Sequence, residues 1–495
     1  MNSNKYVNEK FKIQTITPVF IGNDQGSELS PITDYVVKRD KLLLIDQNKF
    51  ENLLNENLEI LDEFVFEVKN NTKNFDLEFF IEKKLNIAAE SLSREIFEVV
   101  GYLGKNSIKT FINSAGRPYI PGSTIKGAIR TAIIYNWLQK TNAGLHIVNR
   151  MLTLYEEINY LNEKLENEQN ENKKKNLIQK IEEIEDFIQN AEQIITLKSK
   201  RKLENEEKKE LRRIDKSKHI YGKIYNEFVI FSGNKFGHDF RHIQISDTNF
   251  FDLSQTKIIE LIREYLIKNE TKTSQWVQVL KNQVETEFNF KIEKTFKDNF
   301  LQPINKNSYS EIFQMINTFS RDVVEFEIEQ MNNFINLTQN NQAMKDKLQS
   351  VIDFYKDLKE KINASENKWA FVRIGGGKTY FDNSIGLALF KHNKEQFKVF
   401  RKLLGFWKHR SGGFVEEDSP ITRTFYLENK LNKFLPIGWT VMYPETEISA
   451  INKLFGTERE ENKNIGEIEN AEEGSIDFSK LENLGRVKYT KERRK

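Results

Sequence analysis

Strand-like alternation stands at both ends of this chain and helical periodicity fills the middle, so any sheet must be assembled from segments far apart in sequence. Near the start, Phe11, Ile13, Ile16 and Val19 alternate. Tyr35, Val36 and Val37 then turn through Lys38–Lys41 into Leu42–Ile45, after a long glycine-containing loop at 22–34. Asp46 is placed to cap a helical stretch reaching residue 100, and residues 108–120 form a hairpin about Asn113–Gly116. Strand character returns at Trp369–Ile374, Ile385–Phe390, Ile421–Leu427 and Gly438–Tyr443. Between them, 251–367 has helical spacing, through Ile258, Ile259, Leu261, Ile262 and Leu266 and later Met331, Phe334 and Ile335. The order predicts an α+β fold whose core joins residues 1–150, 216–250 and 368–455 around helical insertions.

Residues 151–215 are the first insertion. Leu154, Ile158, Leu161 and Leu165 step by four and three, and Leu177, Ile181, Ile184, Ile188, Ala191 and Ile195 repeat the step after a polar run. This spacing predicts a coiled-coil-like helical hairpin, with one long dimerising helix as the alternative. Beyond Gly456 the chain is polar, acidic first and basic at the end, and 456–495 is expected to be disordered.

The 75 basic and 73 acidic residues of the 495 nearly cancel, so a polyanion site must come from local clustering. The absence of cysteine excludes disulfides, thiolate metal sites and a Cys nucleophile. No apolar leader or membrane-length apolar run is found, and a cytoplasmic protein without a membrane partner is expected.

The sharpest local signal is Pro118–Thr131, PYIPGSTIKGAIRT. An extended segment ends at Pro121-Gly122, Ser123 follows as a natural N-cap, and a helix begins. On that helix Ser123, Lys126, Gly127 and Arg130 share one face, and Ile125, Ala128, Ile129 and Ala132 the other. Unpaired N–H groups, glycines at 122 and 127 and two cations suit a phosphodiester backbone. An ordinary capped helix with solvated cations fits the same residues.

A second glycine cluster, Gly375, Gly376, Gly377 and Lys378, follows Arg373. It is not a nucleotide-binding P-loop, because Val372 stands where that motif needs its first glycine. Backbone N–H groups meeting phosphates, with Arg373 and Lys378 beside them, is one reading, and a tight turn is the other. A third basic loop holds Trp407, Lys408, His409 and Arg410, where charge and stacking on Trp407 suit RNA. His238 and His242 are four apart, but the sequence around them enters a strand, and neither a metal site nor any cofactor is expected.

The 118–131 segment resembles the glycine-serine-lysine-arginine element of the RAMP superfamily, the RRM-related RNA-binding subunits of CRISPR effectors. Ile16–Gly22, Leu29–Tyr35, the 372–379 loop, Pro420–Arg423 and Pro436–Trp439 are similar to further RAMP blocks in the same order. Together they look most like the subunit that caps the type III-A (Csm) effector at the 3′ side of its guide. The resemblance implies an RRM/ferredoxin-like core and a non-catalytic role in binding guide RNA and supporting antiviral defence. It implies as partners the guide (CRISPR) RNA, the repeating backbone subunit and the small helical subunit, with host nucleases helping to mature the guide 3′ end. Arg423 joins the expected RNA contacts. Target-cleaving relatives carry an aspartate about where Leu29 stands here, flanked by Asp24 and Asp34, and guide-processing relatives carry a histidine earlier than His146. A RAMP-type endoribonuclease and a protein-only scaffold are the competing readings.

Overall fold

The computed structural model describes residues 6–23, 28–70, 74–228, 240–267, 270–293, 309–338, 341–409, 411–428 and 433–456. Asp24, His238, Arg410 and the polar stretch 457–495 lie outside them. The chain divides into two compact units, 1–448 and 449–495. Of the second, residues 449–456 are described, and they are helical through Phe455. Among the described residues no helix is long and apolar enough to cross a membrane.

The first unit contains two large sheets. One is five-stranded and antiparallel, in the order Ala370–Arg373, Trp439–Pro444, Tyr6–Thr15, Glu285–Glu293, Ile243–Ile245. The Tyr6–Thr15 strand therefore stands at its centre, with Ile13 opposite both Met442 and Thr286. Tyr6–Thr15, the Gly122–Lys140 helix, Ile243–Ile245, Glu285–Glu293, the Ser310–Leu337 helix and finally Trp439–Pro444 follow the βαββαβ order of a ferredoxin-like core, with Ala370–Arg373 added at the edge. Phe11 is buried against Phe288, Phe290, Tyr309 and Phe313, which fastens the Ser310–Leu337 helix to this sheet.

The second sheet has nine strands. At its centre Thr256–Tyr265 pairs along one edge with Glu270–Leu280, and shares the other between Ser93–Val100 and Thr422–Glu428. Helices Gln47–Glu56, Leu58–Asn70 and Leu77–Lys83 pack a separate apolar cluster, including Phe50, Phe75 and Phe80, against the Lys41–Ile45 strand.

Three elements differ from the expectation. Thr256–Tyr265, Glu270–Leu280 and Glu285–Glu293 are strands, not helix; among the described residues of the predicted 251–367 insertion, α-helix occupies Ser310–Leu337 and Gln342–Asn363. The Thr256–Tyr265 strand is buried on both faces, so its apolar residues run on instead of alternating and imitate helical spacing. The predicted strand Ile385–Phe390 is the helix Gly386–His392, a short apolar run of the kind that periodicity alone cannot assign. The 46–100 helical stretch ends at Lys83, and Ser93–Val100 is a strand.

The 151–215 segment is helical throughout its main part. Helices Leu154–Asn167 and Glu171–Gln189 turn at Glu168–Asn170, where the Asn170 side chain accepts from the N–H groups of Asn172 and Lys173. Leu154, Ile158, Leu161, Ile181 and Ile184 are buried, as spaced. Asn190 interrupts the second run, and Phe187 rather than Ile188 points inward.

Candidate nucleic-acid interface

The helix Gly122–Lys140 begins two residues earlier than its capping signal suggests. Pro121 occupies the N-cap position with extended backbone (φ −60°, ψ 134°), and Ser123 is the second residue inside the helix. The first helical N–H, from Gly122, donates to Asp247 Oδ1 at 2.8 Å. A carboxylate of the protein itself thus sits where a phosphate was expected. Gly122 is needed for packing, since a Cβ there would lie 2.4 Å from the Ile245 carbonyl oxygen. The expected contact of Gly122 with RNA is corrected on both counts.

One turn further along, the outward face matches the expected pattern. Ile125, Ala128, Ile129 and Ala132 are buried, Ser123 and Gly127 are exposed, and Lys126 and Arg130 are half-buried. Among the described residues, the helix's own nearby backbone aside, nothing lies within 4 Å of a Cβ built on Gly127, so the helix surface is open there. Burial, and then the charge of Arg130, hold the Lys126 ammonium below its ordinary pKa. The Arg130 guanidinium lies 5.5 Å from the centroid of the Phe240 ring. This face keeps the Lys126 ammonium partly out of water beside a second cation, which disfavours its charged form.

The glycine-rich loop is turned inward. Arg373 is buried and its guanidinium is fully engaged: it meets Asp382 Oδ2 at 2.5 Å and donates to the carbonyls of Ile437 at 3.0 Å and Gly377 at 2.9 Å. Gly375 has φ +72°, and a Cβ there would lie 2.2 Å from the Phe20 carbonyl oxygen. The same oxygen accepts from the N–H of Gly376 at 2.7 Å, and a Cβ on Gly377 would lie 2.5 Å from Ile437 Cγ1. Arg373, Gly375, Gly376 and Gly377 therefore tie the loop to residue 20 and to Ile437, and the expectation that the buried Arg373 grips phosphate is corrected. Lys378 remains half-exposed, with its pKa pushed down by burial. Ala128 and Ala132 line a small internal gap together with Arg373 and Asp382, which places the inner face of the helix against this buried pair.

Arg423 is corrected as well. It is buried in a bidentate pair with Glu327, at 2.9 and 3.2 Å. In the third basic loop Lys408 is exposed and His409 half-buried, and the N–H of Gly413 donates to the Ser199 carbonyl at 2.6 Å. Trp407 is not a free platform: the Arg401 guanidinium lies 4.8 Å from its ring centroid, and Tyr380, Phe381 and Phe397 surround it.

Leu29 lies in a short strand opposite Ile108. The Asp34 carboxylate accepts from the Ser30 N–H at 2.6 Å and the Thr33 hydroxyl at 3.0 Å, which closes the turn before Tyr35. His242 Nδ1 stands 2.5 Å from Glu293 Oε2. Asp247 was missed by sequence reasoning, because no local pattern connects it with a helix that begins 125 residues earlier.

The RAMP superfamily profile matches residues 12–381. A protein of Methanocaldococcus jannaschii described as CRISPR system Cms protein Csm5 is 26% identical over 447 residues, covering 87% of this chain and 88% of that one. A Streptococcus thermophilus protein of the same description is 30% identical over 151 residues, 28% of this chain and 41% of that one. Among solved structures, a chain of a type III-A Csm–crRNA–target RNA ternary complex superposes with a TM-score of 0.55 at 18% identity, over 88% of this chain and all of that one. The crystal structure of T. onnurineus Csm5 gives 0.51 at 17% identity, over 87% and 99%. The ferredoxin-like sheet, the helix carrying Lys126 and Arg130 behind its Pro-Gly turn, and the match over most of the sequence lead to one assignment: the chain belongs to the RAMP superfamily, and within it is similar to the type III-A Csm subunits.

Proposed function

We propose that this chain is a non-catalytic subunit of a type III-A effector that binds the guide-RNA backbone and ends the stack of backbone subunits at the guide's 3′ side. The observation that carries the reading is the outer face of the Gly122–Lys140 helix. There Lys126 and Arg130 stand together, Gly127 leaves the surface open, and Lys126 has no ion pair among the described residues. A phosphate between the two cations relieves their mutual repulsion and requires no particular base. Ser123, Lys378, Lys408 and His409 are further contacts along the same RNA. The guide RNA, the repeating backbone subunit and the small helical subunit are the partners of this reading, and host nucleases trim the guide beyond the stack. The non-catalytic part is supported by Leu29 at the place of the cleaving aspartate and by Asp34 being engaged in its own turn.

Filter binding of the purified chain to guide-like single-stranded RNA tests the reading, with a cleavage gel in magnesium and in manganese run alongside. Retention that weakens with salt, and intact RNA on the gel, are expected. Shortened RNA favours the endoribonuclease, and no retention favours the protein-only scaffold.

A further inference from the structure

Beside the second sheet, lined by part of the Ser93–Val100 strand, the Asn113–Arg117 turn and residues 251–254, lies a cleft of about 540 Å³ that none of the expected phosphate contacts uses. The Asn113–Pro118 hairpin forms part of its wall, with Phe97, Leu253 and Arg117 among its lining residues. Arg117 is exposed, and its guanidinium lies 4.6 Å from the centroid of the Phe250 ring, itself 45% exposed. Tyr119 meets Phe250 edge-on, with centroids 6.0 Å apart. The two segments are held side by side by backbone bonds, Phe251 N–H to the Pro118 carbonyl at 2.8 Å and Thr248 N–H to the Ile120 carbonyl at 3.1 Å. The platform is therefore fixed to the strand that leads directly into Gly122.

A cation that lies over an exposed aromatic ring and also lines a cleft offers a flat and partly apolar surface. The charges around it argue against a second phosphate: Arg94 and Arg117 line the cleft, but so do Glu95 and Asp252. What the site offers is a stacking contact. Unstacked bases of single-stranded RNA layer on aromatic rings and on arginine planes alike. We propose that a nucleobase splayed from the RNA backbone enters this cleft and stacks on the Arg117 guanidinium with Phe250 beneath it. The inference rests on the single-stranded RNA reading and adds to it a base-holding site, tolerant of sequence, just before the phosphate-holding helix.

The test uses the full chain and a single-stranded RNA oligonucleotide with 2-aminopurine scanned along it, with affinity measured over a range of salt. Arg117→Lys keeps the charge and loses the plane, and Phe250→Leu keeps apolar bulk and loses the ring. Each is expected to weaken binding by about 5- to 100-fold with the salt slope unchanged, and to abolish quenching at one position of the probe. Wild-type affinity and quenching in both variants overturns the base site. If Lys126→Ala/Arg130→Ala still weakens binding in that case, the phosphate reading stands without it. A wild-type chain that binds no RNA overturns both.

Discussion

The 122–130 face and the 373–378 loop have the same ingredients, glycines beside lysine and arginine, and the fold uses them in opposite ways. On the helix the cations point outward beside an open Gly127. In the loop Arg373 points inward to Asp382 and two carbonyls, and the glycines exist because Phe20 and Ile437 approach too closely for a side chain. Glycine next to a cation does not by itself mark a site, because in the loop the protein supplies the counter-charge itself. The helix start shows a like contrast within a few residues, because Gly122 faces the carbonyls of residues 245 and 246 while among the described residues nothing stands over Gly127.

The contrast can be broken most forcefully at the buried pairs. Arg373→Ala leaves Asp382 buried without its cation and is expected to cost about 3–5 kcal/mol in urea unfolding, and Arg423→Ala a similar amount through Glu327. A stability near wild type with a specific loss of RNA affinity would return either arginine to the interface. The glycines follow. Gly122→Ala places a Cβ 2.4 Å from a carbonyl oxygen and is expected to lower the thermal midpoint clearly, whereas Gly127→Ala stabilises by about 0.5–1 kcal/mol through helix propensity. Equal effects at the two positions would mean that the helix does not sit as described.

The smallest expected effect is on pH dependence. Lys126 has a depressed pKa, so on raising the pH it loses its proton before an ordinary lysine, and with it the charge proposed to meet phosphate. RNA affinity is expected to start falling at a lower pH than an ordinary lysine would give, and to be flatter in Lys126→Arg, whose guanidinium stays charged. Parallel profiles would remove Lys126 from the contact.

Much of this was legible in the sequence where the signal is local. The hairpin at 154–189 announced itself because its buried leucines and isoleucines repeat every three and four residues. The Glu285–Glu293 strand was equally legible, since Thr286, Phe288, Phe290 and Ile292 alternate inward, yet it was absorbed into the helical reading of its neighbour. That neighbour, Thr256–Tyr265, is buried on both faces at the centre of a sheet and has no alternation to read. At the candidate site, the face holding Lys126 and Arg130 could be drawn from helical geometry alone. The direction of Arg373 and Arg423 could not, because their partners are Asp382 beyond a turn and Glu327 on a distant helix. Nor could the pairing of Arg117 with Phe250, which the register of two remote segments creates.

The account depends most on the claim that the outer helix face, and not the glycine loop, neutralises phosphate. The direct measurement is the salt dependence of single-stranded RNA binding for Lys126→Ala/Arg130→Ala against the wild type. Each lost phosphate contact removes about 0.7 from the slope of log affinity against log salt, so the double variant is expected to lose about 1.4 uniformly across RNA sequences. A folded double variant with the wild-type slope would contradict the account.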